Sequence, residues 1–212
     1  MAQHDDRIET GEHRGIISRM VSALRRRDPE AGREAGPSVE AAPVPASAAP
    51  SAERPGASAA ADAPFVSVEQ VLMGVELADR DEALAFISAR AVGLGLADDA
   101  AELDAAFHRR EAEGTTGMMD GFAIPHAKSR AIRRASVLVV RADAGIAGWD
   151  TMDELPVTVA IALLIPDSED GAAHLRLLSR VAESLMDDSF RAAVMSAASP
   201  EDIARILNDR LR

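Results

Sequence analysis

The run from Val157 to Ile165, Val-Thr-Val-Ala-Ile-Ala-Leu-Leu-Ile, restricts this chain more than any other feature. A strand with one wet face would alternate apolar and polar residues, and this run does not. Both of its faces must be covered, so it is expected to be a central strand. Ser136 to Arg141 is a second apolar, β-branched run, separated from the first by a turn-rich segment around Trp149. Helical patterns lie on either side of this pair. Ser67 to Gly74 reads as a short helix, and Val75 to Leu77 as a little strand. Asp79 with Glu82 makes a capping-box-like start to a helix that reaches about Leu94, where Gly93 and Gly95 break the pattern. Asp98 and Asp99 open another helix through Leu103, Phe107 and Arg110. Three more are expected over Ala172 to Met186, Ser189 to Ala197 and Pro200 to Leu211, the last with Ser199 as N-cap and Pro200 at N1. Helices flanking a few strands make an α/β or α+β sandwich, one domain over residues 65–212.

The first 64 residues are of another kind. From Ala31 to Pro64 the chain is mostly Ala, Pro, Ser and Gly, without an aromatic residue. Such a segment cannot bury enough apolar surface to offset the entropy of ordering it, so residues 31–64 read as a disordered, semi-stiff linker. Within residues 1–30, Ile16, Ile17, Met20, Val21 and Leu24 recur at helical spacing before Arg25 to Arg27. That is either a short docking helix or a fraying segment without function.

Charge and composition exclude several function classes. The formal charge is −12, with 8 arginines against 10 acidic residues before position 65 and 15 basic against 25 acidic residues after it. An acidic domain is no general nucleic-acid binder, and its protein partners are expected to present basic surfaces. No apolar run is long enough to span a membrane, and the N-terminus lacks a secretory pattern. Zero cysteines remove disulfides, thiolate metal sites and cysteine nucleophiles. A cytoplasmic protein is expected, with no cofactor and no metal.

The inventory of reactive groups is therefore short. Thr115-Thr-Gly117 lies between glycines but lacks the continuation of a nucleotide loop. Of five histidines, His4 and His13 fall in the N-terminal tail, and His108 reads as a surface residue. His126 is placed differently. Gly121-Phe-Ala-Ile-Pro-His126-Ala-Lys128 reads as a short apolar strand stopped by Pro125, with His126 just past its end. Imidazole held there suits a nucleophile or an acid/base group, although a lone histidine is also commonly structural.

Glu111 to His126, with the Ala-Ile-Pro-His-Ala-Lys string at its end, and His174-Leu-Arg-Leu-Leu-Ser-Arg-Val-Ala182 resemble the fructose/mannitol-type enzyme IIA domain. That domain belongs to the bacterial phosphoenolpyruvate-dependent sugar phosphotransferase system, and the likeness is nearest to its fructose branch. It spans about Phe65 to the C-terminus. The resemblance implies a compact sandwich with a mixed sheet, and a phosphotransferase task. The domain takes a phosphoryl group from the histidine phosphocarrier protein HPr and passes it to a cysteine of enzyme IIB, which serves a membrane component. It further implies that His126 is the phosphorylated residue, Arg110 the active-site arginine and His174 the second active-site histidine. A guanidinium fork and a second imidazole suit the equatorial oxygens of a phosphoryl group, and no metal is needed. A partner fixing the tautomer of His126 is required and is not identifiable from sequence.

Two features depart from that family or stand beside it. Met119, preceded by Met118, stands where the family usually has glycine, and with Phe122 these residues suggest an apolar docking surface. Lys128, the only lysine, and Asp120 read as an exposed basic residue and a turn aspartate. Two other functions suit the same residues: a regulatory enzyme IIA whose phosphorylation switches the binding of a partner protein, and a scaffold with a degenerate site.

Overall fold

The structure is a computed structural model that describes residues 65–168 and 171–211, with the side chains of residues 171–174 left aside. The expectations for residues 1–64 lie outside the described residues. Among the described residues, five strands form one mixed sheet: β1 (Val71–Met73), β2 (Phe122–Ala123), β3 (His126–Ser129), β4 (Ser136–Ile146) and β5 (Val157–Pro166). β5 is central as expected. It pairs antiparallel with β4 on one side and parallel with β2 and β3 on the other, while β1 runs parallel to β4 at the far edge.

Among the described residues, five α-helices cover the sheet: α1 (Arg80–Gly93), α2 (Ala100–Glu111), α3 (Gly171–Ser184), α4 (Asp188–Ser196) and α5 (Pro200–Leu211). Leu138, Val140, Ala160, Ala162 and Leu164 form one core with Leu84 and Ile87 of α1 and Leu103 and Phe107 of α2. The alternate residues Val137, Val139, Val159, Ile161 and Leu163 are buried as completely. Helices α3–α5, whose buried Val181, Phe190, Ile203 and Leu207 take no part in that core, supply the second cover; α5 packs on β1. Burial on both faces is what permits the unbroken apolar run of β5.

The capping signals act as their chemistry dictates. Asp79 accepts the Glu82 N–H at 2.9 Å, and Asp99 accepts those of Ala101 and Glu102 at 2.9 and 3.0 Å. Asp98 does not cap; it pairs with Arg133 across the surface. Ser199 takes the Asp202 N–H at 3.2 Å and Pro200 begins α5.

Four local expectations are corrected. Ser67–Gly74 is not a helix: a single 3-10 turn, Val68–Gln70, leads into β1, and Val75–Leu77 is not a strand. The Gln70 amide donates to the Val137 carbonyl at 2.7 Å, and Val71 to Met73 pair with Val139 to Arg141. Long-range pairing thus overrides a local helical pattern. β4 runs on past Arg141 to Ile146 through an irregular register, because Ile146 still pairs with Val157. β2 ends before Pro125, as expected, but His126 is not left past the sheet: it opens β3. β2 and β3 are one edge strand interrupted there, with Phe122↔Val159 and His126↔Leu163 in the same register. Proline keeps its carbonyl in the ladder, which accepts the Leu163 N–H at 2.9 Å, but has no N–H to give.

Asp187 caps α4 and is tied to α5. Its carboxyl accepts the Ser189 hydroxyl and N–H at 2.5 and 2.9 Å and pairs with Arg210. The Ser189 hydroxyl first, and then the Arg210 guanidinium, lower its pKa from 3.8 to about 2. A folded-state pKa below the unfolded one means stability that is present above about 3.8 and lost as pH falls through about 2. An Asp187→Asn variant keeps a capping side chain without the charge. Its stability is expected to fall less steeply with pH across that window than the wild type's, as acid unfolding curves would record.

Gly117 meets the backbone of the Trp149 segment so closely that an added Cβ would lie 2.2 Å from the Asp150 carbonyl oxygen. Gly117→Ala is expected to cost about 1–3 kcal/mol through forced displacement of backbone. Gly93→Ala, at a position with nothing within 4 Å, is the control and should be neutral or slightly stabilising. Equal denaturation midpoints for the two variants would contradict this account.

Candidate functional site

The site is assembled where the C-terminus of α2 meets the interrupted edge strand. α2 ends at Glu111, so Arg110 stands in its last turn, where a cation also suits the helix dipole. His126 opens β3 and is buried, at 4% exposure. Strand alternation puts its side chain on the face opposite Ala123 and Ala127, which belong to the core under α1 and α2.

The ring's protonation follows from contacts at both nitrogens. Arg110 Nε lies 2.7 Å from His126 Nε2, and His126 Nδ1 lies 2.9 Å from the Ile124 carbonyl oxygen. A carbonyl only accepts, so Nδ1 carries the proton. A guanidinium N–H only donates, so Nε2 presents its lone pair. Both contacts require the same neutral tautomer. Arg110 is itself aimed by a second bond, from Nη1 to the Gly114 carbonyl at 2.9 Å. An imidazole nitrogen that is unprotonated, shielded from bulk water and faced by a guanidinium is equipped for nucleophilic attack on an anionic group.

Ile124 and Gly114 contribute through backbone carbonyls, which no residue-type motif marks. The Ile124 carbonyl is available because the strand is an edge. Its N–H donates outward to the Thr116 carbonyl at 2.9 Å, so the carbonyl of the same residue also faces away from β5. Two residues on, His126 reaches back to it.

Of the three residues singled out by sequence, the structure brings Arg110 and His126 together. The backbone of His174 lies in the first turn of α3, and its side chain lies outside the described residues. His108 pairs loosely with Asp104 at 3.6 Å on the same helix. Lys128 is exposed on β3. The suggestion of an apolar docking surface made of Met118, Met119 and Phe122 is overturned. Phe122 and Met118 are buried in the fold, and only Met119 is partly exposed. The Met118 N–H donates to the Phe122 carbonyl at 2.8 Å, which folds this loop down onto the edge strand.

Asp120 does more than turn the chain. It adopts φ 56°, its N–H donates to Asp153 at 2.6 Å, and its carboxylate meets Arg191 Nε of α4 at 2.7 Å. Gly121 follows at φ 76°, where a Cβ would lie 2.8 Å from Thr158 Oγ1. Among the described residues, no helix is long and apolar enough to cross a membrane.

A fructose-specific EIIA component of Haloferax volcanii is 36% identical over 131 residues, 61% of this chain and 83% of the relative. A 2-O-alpha-mannosyl-D-glycerate-specific EIIABC component of Escherichia coli is 28% identical over 143 residues. That match takes in 67% of this chain but only 22% of the longer protein. The crystal structure of the nitrogen regulatory protein IIA-Ntr from Neisseria meningitidis superposes with a TM-score of 0.62 at 24% identity, covering 66% of this chain and 94% of that one. That likeness is one of fold. The sequence profile of the family described as "Phosphoenolpyruvate-dependent sugar phosphotransferase system, EIIA 2" matches residues 64–210, and the chain belongs to that family.

Proposed function

We propose that this chain is a phosphocarrier: it accepts a phosphoryl group on His126 Nε2 from HPr and passes it to a cysteine of enzyme IIB in fructose-type sugar uptake. The observation that carries the reading is the paired contact of His126, with Nδ1–H on the Ile124 carbonyl and Nε2 facing Arg110. The Nε2 lone pair forms the new N–P bond as the donor's own P–N bond breaks, and the donor imidazole keeps that electron pair. The ring becomes positively charged, and the Ile124 carbonyl stabilises the charge through Nδ1–H. Arg110, released from Nε2, turns its N–H groups to the phosphoryl oxygens, where charge gathers in the transition state. His174, in the first turn of α3, is proposed as a second donor to those oxygens. Transfer onward reverses the step: a cysteine thiolate forms the S–P bond and Nε2 recovers its lone pair.

The experiment is incubation with phosphoenolpyruvate, enzyme I and HPr, followed by mass spectrometry for an acid-labile phosphoryl group on His126. Its appearance, and its loss on adding a fructose-type enzyme IIB, support the reading. A labelled HPr beside an unlabelled chain would refute it. Uptake of phosphate with no passage to any enzyme IIB, together with tight binding of another protein, would favour the regulatory function instead.

A further inference from the structure

Next to Arg110 in the chain stands a carboxylate, Glu111, with a set of donors of its own. Glu111 Oε1 accepts the Thr116 N–H at 3.0 Å and the Trp149 indole N–H at 3.1 Å. Its Oε2 accepts the Thr116 hydroxyl at 2.7 Å. Trp149 Nε1 also lies 3.3 Å from Thr116 Oγ1. Thr116 is fully buried and Trp149 nearly so. A carboxylate receiving three donors here fixes the loop that leaves α2, at both its backbone and its side chain.

The contacts close into a ring of bonds. Thr116 takes the Ile124 N–H on its carbonyl, and the Ile124 carbonyl takes His126 Nδ1–H. His126 Nε2 receives Arg110, which is joined by one peptide bond to Glu111. Glu111 returns to Thr116. The same loop presents the Gly114 carbonyl that aims Arg110. Moving Thr116 therefore moves both the acceptor that selects the histidine tautomer and the carbonyl that orients the guanidinium.

We propose that Glu111, acting through Thr116, is a positioning residue that holds His126 in its Nδ1–H form and keeps Arg110 against Nε2. The consequence for transfer rate rests on the phosphocarrier reading above. The consequence for the tautomer does not.

The test uses the full chain and two readouts. The first is 15N NMR of the His126 ring nitrogens, which separates a protonated from an unprotonated nitrogen. The second is the rate of phosphoryl uptake from phosphorylated HPr. Wild type is expected to show one tautomer, with the proton on Nδ1. Glu111→Ala should give a mixture of tautomers and a rate about tenfold to a hundredfold lower, the range for a reacting group misplaced by about an ångström. Glu111→Gln should restore both, because its carbonyl can accept from Thr116 N–H and Trp149 while its amide donates to the hydroxyl. A folded Glu111→Ala protein with the wild-type ring signals and rate overturns the proposal.

Should Glu111→Ala not fold, Thr116→Val and Thr116→Ser decide. Valine is expected to disturb the ring signals and slow transfer about threefold to tenfold, and serine to restore both. Identical behaviour of the two variants overturns the proposal. A wild-type chain that takes up no phosphoryl group, while its ring signals still respond to these variants, would refute the phosphocarrier reading and leave the positioning role standing.

Discussion

A His126→Ala variant is expected to take up no phosphoryl group from HPr, a loss to below detection and not a reduction in rate. His126 Nε2 is the only nitrogen among those described that is both unprotonated by its contacts and faced by a guanidinium. Arg110 cannot substitute, because a guanidinium stays charged and has no lone pair to offer. Alanine also removes a buried ring and the partner of Arg110, so a dead variant alone would leave a folding defect as an explanation. His126→Asn separates the two. The asparagine amide can donate to the Ile124 carbonyl as Nδ1 does, while supplying no nucleophile. It is expected to unfold within a few degrees of wild type and to remain unphosphorylated. A phosphoryl group found on either variant, on any residue, would remove His126 from the reaction.

The second large effect belongs to Arg110. Its Nε faces His126 Nε2 at 2.7 Å, and its Nη1 is held by the Gly114 carbonyl at 2.9 Å. Removing a preorganised donor from a site where charge develops costs about 10²–10³ in rate. Arg110→Ala is expected to show that loss in single-turnover transfer, read by rapid quench. Stability should fall by about 1–3 kcal/mol, the net worth of its two hydrogen bonds at a half-exposed helix end. Arg110→Lys should recover only a small part of the rate, since an ammonium cannot hold the Gly114 carbonyl and the phosphoryl oxygens in one rigid fork. A rate within a few-fold of wild type in both variants would mean that the guanidinium orients the resting ring and does no more.

The sequence is most legible where a residue acts on its own neighbours. Asp79, Asp99 and Ser199 cap helices because their short oxygens reach N–H groups two or three residues on, a relation present in the chain before any folding. The central place of β5 is legible for a related reason: nine residues without a charge leave no face fit for water. The misreadings all involve partners far away in sequence. Ser67 to Gly74 carries helical spacing, yet Val71 to Met73 pair with residues of β4. The apolar run from Ser136 reads as ending at Arg141, yet the strand continues because Ile146 meets Val157. Phe122 and Met118 look like an apolar surface, yet both are buried once Phe122 takes its place in the sheet beside Val159.

The candidate site divides in the same way. Sequence named the atoms proposed to react: with no cysteine in the chain and Pro125 locking the backbone before it, His126 was the group to consider, and the resemblance to the enzyme IIA family implied Arg110 beside it. Tertiary structure decided the state of those atoms. Which nitrogen holds the proton follows from an edge-strand carbonyl at Ile124, and the aim of the guanidinium follows from the Gly114 carbonyl. Every residue has a carbonyl, so no pattern of side chains records which one will be left unpaired at an edge or a loop. That depends on which strands become neighbours, and only the folded chain fixes it.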